Sequence, residues 1–189
     1  MQSRNSRLLL TAGIAAAAFV CGLVLKLTVL GVWLVPSASM APALQPGDVV
    51  VALKLGTDID QLHRGDVIGF DDPGGWMTDD PGDHTHQLVK RVIGLSGEHV
   101  SCTAGADTIE VDGRRIVEPY LDQPACTVAF DVTVPDHAVW VMGDNRADSA
   151  DSRYHQDTPT GGFVSGQWVT GRVIGVLWPV QHLTRLPRA

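Results

Sequence analysis

The stretch QLVKRVIGL, residues 87–95, decides how the rest of the chain reads. Its residues fit the two-residue period of a strand, with Leu88, Lys90 and Val92 on one face and Val89, Arg91 and Ile93 on the other. One of two adjacent cations therefore points the same way as apolar neighbours. An inward lysine is costly while charged; once desolvated it gives up its proton more readily, and a neutral amine is a competent general base. The alternative is an edge strand whose two cations snorkel to water.

Segments of the same kind surround it: DVVVALKL (48–55), DVIGF (66–70), HVSC (99–102), TIEVDGRRI (108–116), FDVTV (130–134), AVWVMG (138–143) and WVTGRVIGVLW (168–178). Short, β-branched runs separated by Gly, Pro and Asp clusters such as QPGD, HRGD, DDPGG and TPTGG read as strands and turns. Asp112-Gly113 suits the tight turn of a hairpin. No stretch from residue 36 onward sustains a helical period, so this part is expected to be mostly β.

The N-terminal run LLLTAGIAAAAFVCGLVL, residues 8–25, is uncharged and follows Arg4 and Arg7. A membrane span needs about 20 apolar residues, and after Lys26 the apolar character resumes as LTVLGVWLV. A cleaved signal peptide would have a shorter apolar core, so the run reads as an uncleaved transmembrane helix over 8–34. The positive-inside bias puts residues 1–7 in the cytoplasm and residues 35–189 outside it. RVIGVLWPV, near the C-terminus, is too short for a second span. The expected protein is anchored to the lipid bilayer by a single pass.

With 189 residues, 44% of them hydrophobic, the chain holds one main domain with room for a small insertion. Its formal charge of −7 and the lack of any Lys/Arg run longer than two give no footprint for nucleic acid. Cys21 lies in the apolar run, which leaves Cys102 and Cys126 on the oxidising side. A bridge between them would be worth about 3 kcal/mol in the chain-entropy model; two buried free thiols are the alternative. In the loop 71–84, DDPGGWMTDDPGDH, Trp76 and Met77 read as an apolar pair folding back onto the core, with contact to membrane or substrate as the sharper reading. Asp83, His84 and His86 lack a further ligand cluster, so no metal is expected.

Nucleophile candidates need a partner. GLSGE (94–98) breaks the G-x-S-x-G pattern at Glu98, and neither Ser37 nor Ser39 has a lysine three residues on. In VPSASMAPALQPGDVVV (35–51) the two serines are either part of a turn or a nucleophile and its helper. The polar loop MGDNRADSADSR (142–153) interleaves two Arg with three Asp, the composition of an ion-paired loop that orders a nearby site.

In this order the segments resemble the bacterial type I signal peptidases, membrane-anchored Ser/Lys proteases that remove signal peptides. PSASMAPAL, RGDVIGF, VKRVIGLSGE and GDNRADSADSR are similar to that family's four boxes, and the match covers most of the chain. The resemblance implies Ser39 as nucleophile, Lys90 as general base and Ser37, with the Ser39 N–H, as oxyanion donors. It implies supporting roles for Ser149 on the lysine, for Asp144, Asp151 and Arg153 in the loop, and for Met40 beside the serine. The implied fold is an antiparallel β catalytic core, 35–95 and 137–189, with a β insertion at 96–136 that carries Cys102 and Cys126. The implied partner is a preprotein signal peptide ending in Ala-x-Ala, cleaved without cofactor or metal. Ala43, Ser96, Ala147 and Asp148 depart from the family pattern, and none is an implied catalytic group. A relative dedicated to one pilin-like substrate, or a silent β domain binding envelope proteins, are the competing readings.

Overall fold

A computed structural model describes residues 13–23, 29–54, 58–77, 86–121 and 123–182. Residues 8–12 and 24–25 of the apolar run, the 71–84 loop beyond Met77, and with it Asp83 and His84, lie outside the described residues. Residues 13–23 are helical, with Ile14, Phe19, Val20 and Leu23 exposed. Among the described residues no helix is long and apolar enough to cross a membrane.

From Leu30 onward the chain is mostly antiparallel β. The strands are β1 Leu30–Leu34, β2 Val49–Leu53, β3 Val67–Asp71, β4 Gln87–Gly94, β5 His99–Cys102, β6 Glu110–Val111, β7 Arg114–Arg115, β8 Phe130–Thr133, β9 Ala138–Met142, β10 Val164–Ser165 and β11 Val169–Trp178. Seven of them form one sheet in the order β1-β2-β11-β3-β4-β9-β10, and four form a second in the order β7-β6-β5-β8.

The 8–34 span expected from hydropathy ends too late. Residues 30–34 are β1, in antiparallel register with β2 from Leu30↔Leu53 to Leu34↔Val49. An apolar run has no polar alternation to betray a change from helix to strand, so periodicity alone does not place that boundary. The structure places it through Trp33, whose ring lies over Gly69 in β3 and Gly171 in β11. A Cβ on either glycine would come within 2.5 Å and 2.7 Å of the indole.

β4 lies between β3 and β9, so the edge-strand reading of QLVKRVIGL does not hold. Lys90 is 5% exposed and Arg91 is fully buried. The second sheet packs on the first through Phe130 against Trp140, ring centroids 5.2 Å apart. Its β6–β7 hairpin turns at Asp112 and Gly113 with φ of 49° and 72°, the doubly left-handed geometry that Asp-Gly favours. Cys102 of β5 and Cys126 are joined in a disulfide, which ties the strap between β7 and β8 to the sheet.

Candidate active site

Ser39 sits in a single 3-10 turn, Ala38–Met40. The loop that carries it is closed at its base, where Val35 N–H donates to Asp48 O and Gly47 N–H to Val35 O. It is pinned from inside by Met40 and Leu44, both buried in a cluster with Val35, Val50 and Val176. A loop fastened at both ends and by two apolar side chains has one position for its serine.

That position faces β4. Lys90 Nζ donates to Ser39 Oγ at 2.8 Å and to Val89 O at 3.2 Å. Ser37, exposed, has its hydroxyl 3.2 Å from Ser39 Oγ. Burial lowers the Lys90 pKa to about 8, and the charges of Asp151 and Asp144 hold it from falling further. Roughly a tenth of such an amine is neutral at pH 7 and half at pH 8. The arrangement is a buried amine able to take a proton from a hydroxyl at bonding distance.

The loop after β9 supports both groups. Asp151 accepts from Gly143 N–H at 2.9 Å and from the Arg153 guanidinium at 2.8 Å through both Nε and Nη2. Asp144 pairs bidentately with Arg91, at 2.7 Å from Nε and 2.6 Å from Nη2, and neither side chain is exposed. Burial pushes the Asp144 carboxyl up and the guanidinium pulls it back; because Arg91 stays protonated, the pair is ionic. Asn145 N–H donates to Ser39 O at 3.1 Å, and Asn145 Nδ2 to Ala38 O at 3.2 Å. The two loops therefore touch backbone to backbone. At that contact Gly143 leaves no room for a side chain: a Cβ there would lie 2.2 Å from Ser149 Oγ and 2.4 Å from Ser39 O. Ser149 is buried, and its hydroxyl has no hydrogen-bond partner among the described residues; the bonds of Lys90 go to Ser39 and Val89.

The pair opens onto a cleft of about 560 Å³ whose lining includes Val32, Leu34, Leu88 and Met77. Trp76 and Met77, read from the sequence as one apolar unit, part company. Trp76 is buried, stacked 4.5 Å from the His155 ring and edge-on to Phe70, whereas Met77 is exposed at the cleft. Asp72 fixes the turn between them by accepting from the backbone N–H of Gly74 and Met77, each at 2.8 Å. Sequence reasoning missed Gly143, Asn145, Arg91 and Arg146 as parts of this site. The signal for Arg91 was present in the alternation of β4, which buries both faces; for Gly143 and Asn145 only the fold reveals the close approach. Among the described residues no three His, Cys, Asp or Glu side chains gather to hold a metal ion.

The family model and the curated relatives agree on one family. The family model described as "Signal peptidase, peptidase S26" matches residues 6–178. Signal peptidase I of Mycobacterium tuberculosis strain H37Rv is 34% identical over 191 residues, covering 78% of this chain and 64% of that protein. Signal peptidase I of Bacillus caldolyticus is 31% identical over 172 residues, covering 84% of this chain and 85% of that one. A crystal structure of a signal peptidase I from Enterococcus faecalis V583 is 30% identical and covers 59% of this chain and 95% of that one, with a TM-score of 0.45. The chain thus spans a little under two thirds of the mycobacterial relative.

Proposed function

The chain belongs to the peptidase S26 signal peptidases, and from that premise we propose that it is a serine endopeptidase working through Ser39 and Lys90. Its substrates are the signal peptides of translocated preproteins, cut after Ala-x-Ala. The observation that carries this reading is the 2.8 Å bond between a buried lysine amine and a serine hydroxyl.

Neutral Lys90 takes the Ser39 proton as Oγ attacks the scissile carbonyl carbon. The carbonyl oxygen, now negative, accepts from the Ser39 N–H and the Ser37 hydroxyl, each donor worth roughly 3 kcal/mol in other hydrolases. As the tetrahedral centre collapses, the C–N bond breaks and the Lys90 ammonium returns its proton to the leaving amine. Water then attacks the acyl-serine, with Lys90 again the base, and the acid is released. Asp144, Asp151 and Arg153 order the wall behind Lys90, Ser149 packs against Gly143, and Met40 packs beneath the serine. The substrate lies extended in the cleft, its small side chains in shallow pockets.

The apolar run ahead of β1 anchors the enzyme in the cytoplasmic membrane by a single pass, with the N-terminus inside and the β domain outside. The exposed apolar side chains of helical residues 13–23 and the two arginines before them support this topology. Ser39→Ala and Lys90→Ala are each expected to abolish cleavage of a preprotein carrying Ala-x-Ala while near-UV circular dichroism stays that of the folded enzyme. Full activity in either variant sinks the mechanism.

A further inference from the structure

The strap between β7 and β8 leaves the four-stranded sheet and lies against the loop after β9. Arg153 Nη1 donates to Thr127 Oγ1 at 2.7 Å, Arg146 Nη1 to Ala125 O at 2.7 Å and Gln123 Nε2 to Asp144 O at 3.3 Å. Inside this seam Tyr120, 8% exposed, lays its ring over the Arg91 guanidinium, Cζ 3.9 Å from the ring centroid. The Tyr120 hydroxyl donates to Glu118 Oε1 at 2.6 Å. Glu118 is paired in turn with Arg146, whose Nε donates to Gly143 O at 2.9 Å. Two cations, Arg91 and Arg146, and two carboxylates, Asp144 and Glu118, thus share one buried cluster, and Tyr120 is the apolar face that closes it.

Arg91 is the neighbour of Lys90 in β4, and Gly143 touches Ser39 O. The cluster therefore holds both strands of backbone that frame the reacting pair. An arene face over a guanidinium is attractive, the more so when water is excluded. We propose that Tyr120 is a positioning residue for the Ser39/Lys90 pair: its ring, steadied by Glu118, seals the Arg91–Asp144 ion pair and so holds the β4 backbone and the Asp144 charge in place beside Lys90. This rests on Lys90 being the general base.

The consequence has a sign. Among the described residues, the charged or titratable groups around Lys90 are Asp151, paired with Arg153; Asp144, paired with Arg91; His155; and Asp148 on the shared cleft wall, with Arg146 and Glu118 behind them. Burial lowers Lys90, and Asp151 and Asp144 raise it. Loss of the ring loosens Arg91 from Asp144, and the less neutralised carboxylate moves Lys90 back toward its ordinary value. A smaller neutral fraction at pH 7 lowers kcat. KM is untouched, since Tyr120 does not line the cleft.

The test uses the full chain in detergent micelles and a fluorogenic Ala-x-Ala peptide, with kcat and KM followed from about pH 6 to 10. Tyr120→Phe, which keeps the ring and loses only the bond to Glu118, is expected to retain the wild-type acid limb. Tyr120→Leu and Tyr120→Ala are expected to lose about tenfold in kcat at pH 7 for each pH unit by which the acid limb is displaced upward. If the alanine variant does not fold, the Phe and Leu variants decide. An acid limb in Tyr120→Leu that coincides with wild type, or a loss confined to KM, overturns the proposal. Lys90→Ala is measured alongside: activity there overturns the assignment of the base, whereas an inactive Lys90→Ala with an unmoved Tyr120→Leu limb overturns the role of Tyr120 alone.

Discussion

Lys90 is held where its charge is least welcome, and this costs the fold stability at neutral pH. Burial takes its pKa from 10.5 to about 8, so between those values the unfolded chain binds more protons than the folded one. Stability therefore rises with pH through that window. Below about pH 8 the penalty is fully present, and at 1.36 kcal/mol per unit it amounts to roughly 3 kcal/mol. Lys90→Met is expected to be more stable than wild type by an amount of that order at pH 7, with the advantage shrinking toward pH 10.5. Urea melts at two pH values measure it, and an equal difference at both contradicts a desolvated lysine. Catalysis runs with the same sign, since kcat/KM should climb with pH through about 8 as the amine becomes neutral. Gly143 makes a steric argument at this scale. With a Cβ 2.4 Å from the Ser39 carbonyl oxygen, Gly143→Ala must drive apart the loop that carries Ser39 and the loop after β9. A loss of about 100-fold in kcat is expected, the cost of misplacing reacting groups by about 1 Å; wild-type turnover would show that the two loops do not meet as described.

Among the elements, the strands that read clearly in the sequence are those with turn residues at both ends. DVIGF becomes β3, QLVKRVIGL becomes β4 and AVWVMG becomes β9, each within a residue or two. β1 was hidden because its own apolar residues continue an apolar run, and β10 because two residues carry no period. The site was legible in the same uneven way. Ser39 and Lys90 lie 51 positions apart, and only the ordered resemblance links them before the fold does. Glu118 and Tyr120 give no sign at all, because their partners, Arg146 and Arg91, belong to other elements. The strap that carries them is fastened by the Cys102–Cys126 bond across a sequence separation of 24, a loop whose closure is worth about 3 kcal/mol in the chain-entropy model. The double variant Cys102→Ala/Cys126→Ala is expected to lose about that much in denaturant midpoint analysis. Without reductant the native protein should resist alkylation at both positions; two alkylated thiols would exclude the bridge.

On the scale of the whole molecule, the question is where an N-terminal anchor would hand over to the enzyme. Hydropathy puts the end of the span at residue 34, whereas the sheet begins at Leu30. Five residues separate these boundaries, and their removal has opposite consequences for the domain. β1 pairs with β2 along its whole length, and Lys54 N–H donates to Val29 O just ahead of it. Trp33 fills the space over Gly69 and Gly171. Deleting residues 1–28 leaves all of this in place, so the shortened chain should unfold cooperatively and still cleave a soluble Ala-x-Ala peptide. Deleting residues 1–34 removes the strand and the indole together and exposes the β2 edge. Trp33 is half-buried, so its loss costs less than the about 3–5 kcal/mol of a fully buried Trp, yet together with the lost strand pairing it is a large share of the roughly 5–15 kcal/mol that holds a domain folded. The longer deletion should therefore yield a molten or aggregated product with no activity. Equal melting temperatures for the two truncations would mean that β1 belongs energetically to the anchor after all. Retention of fold by residues 29–189 and its loss in residues 35–189 would place the boundary between anchor and enzyme just ahead of Leu30, on the N-terminal side of the strand that leads to Ser39.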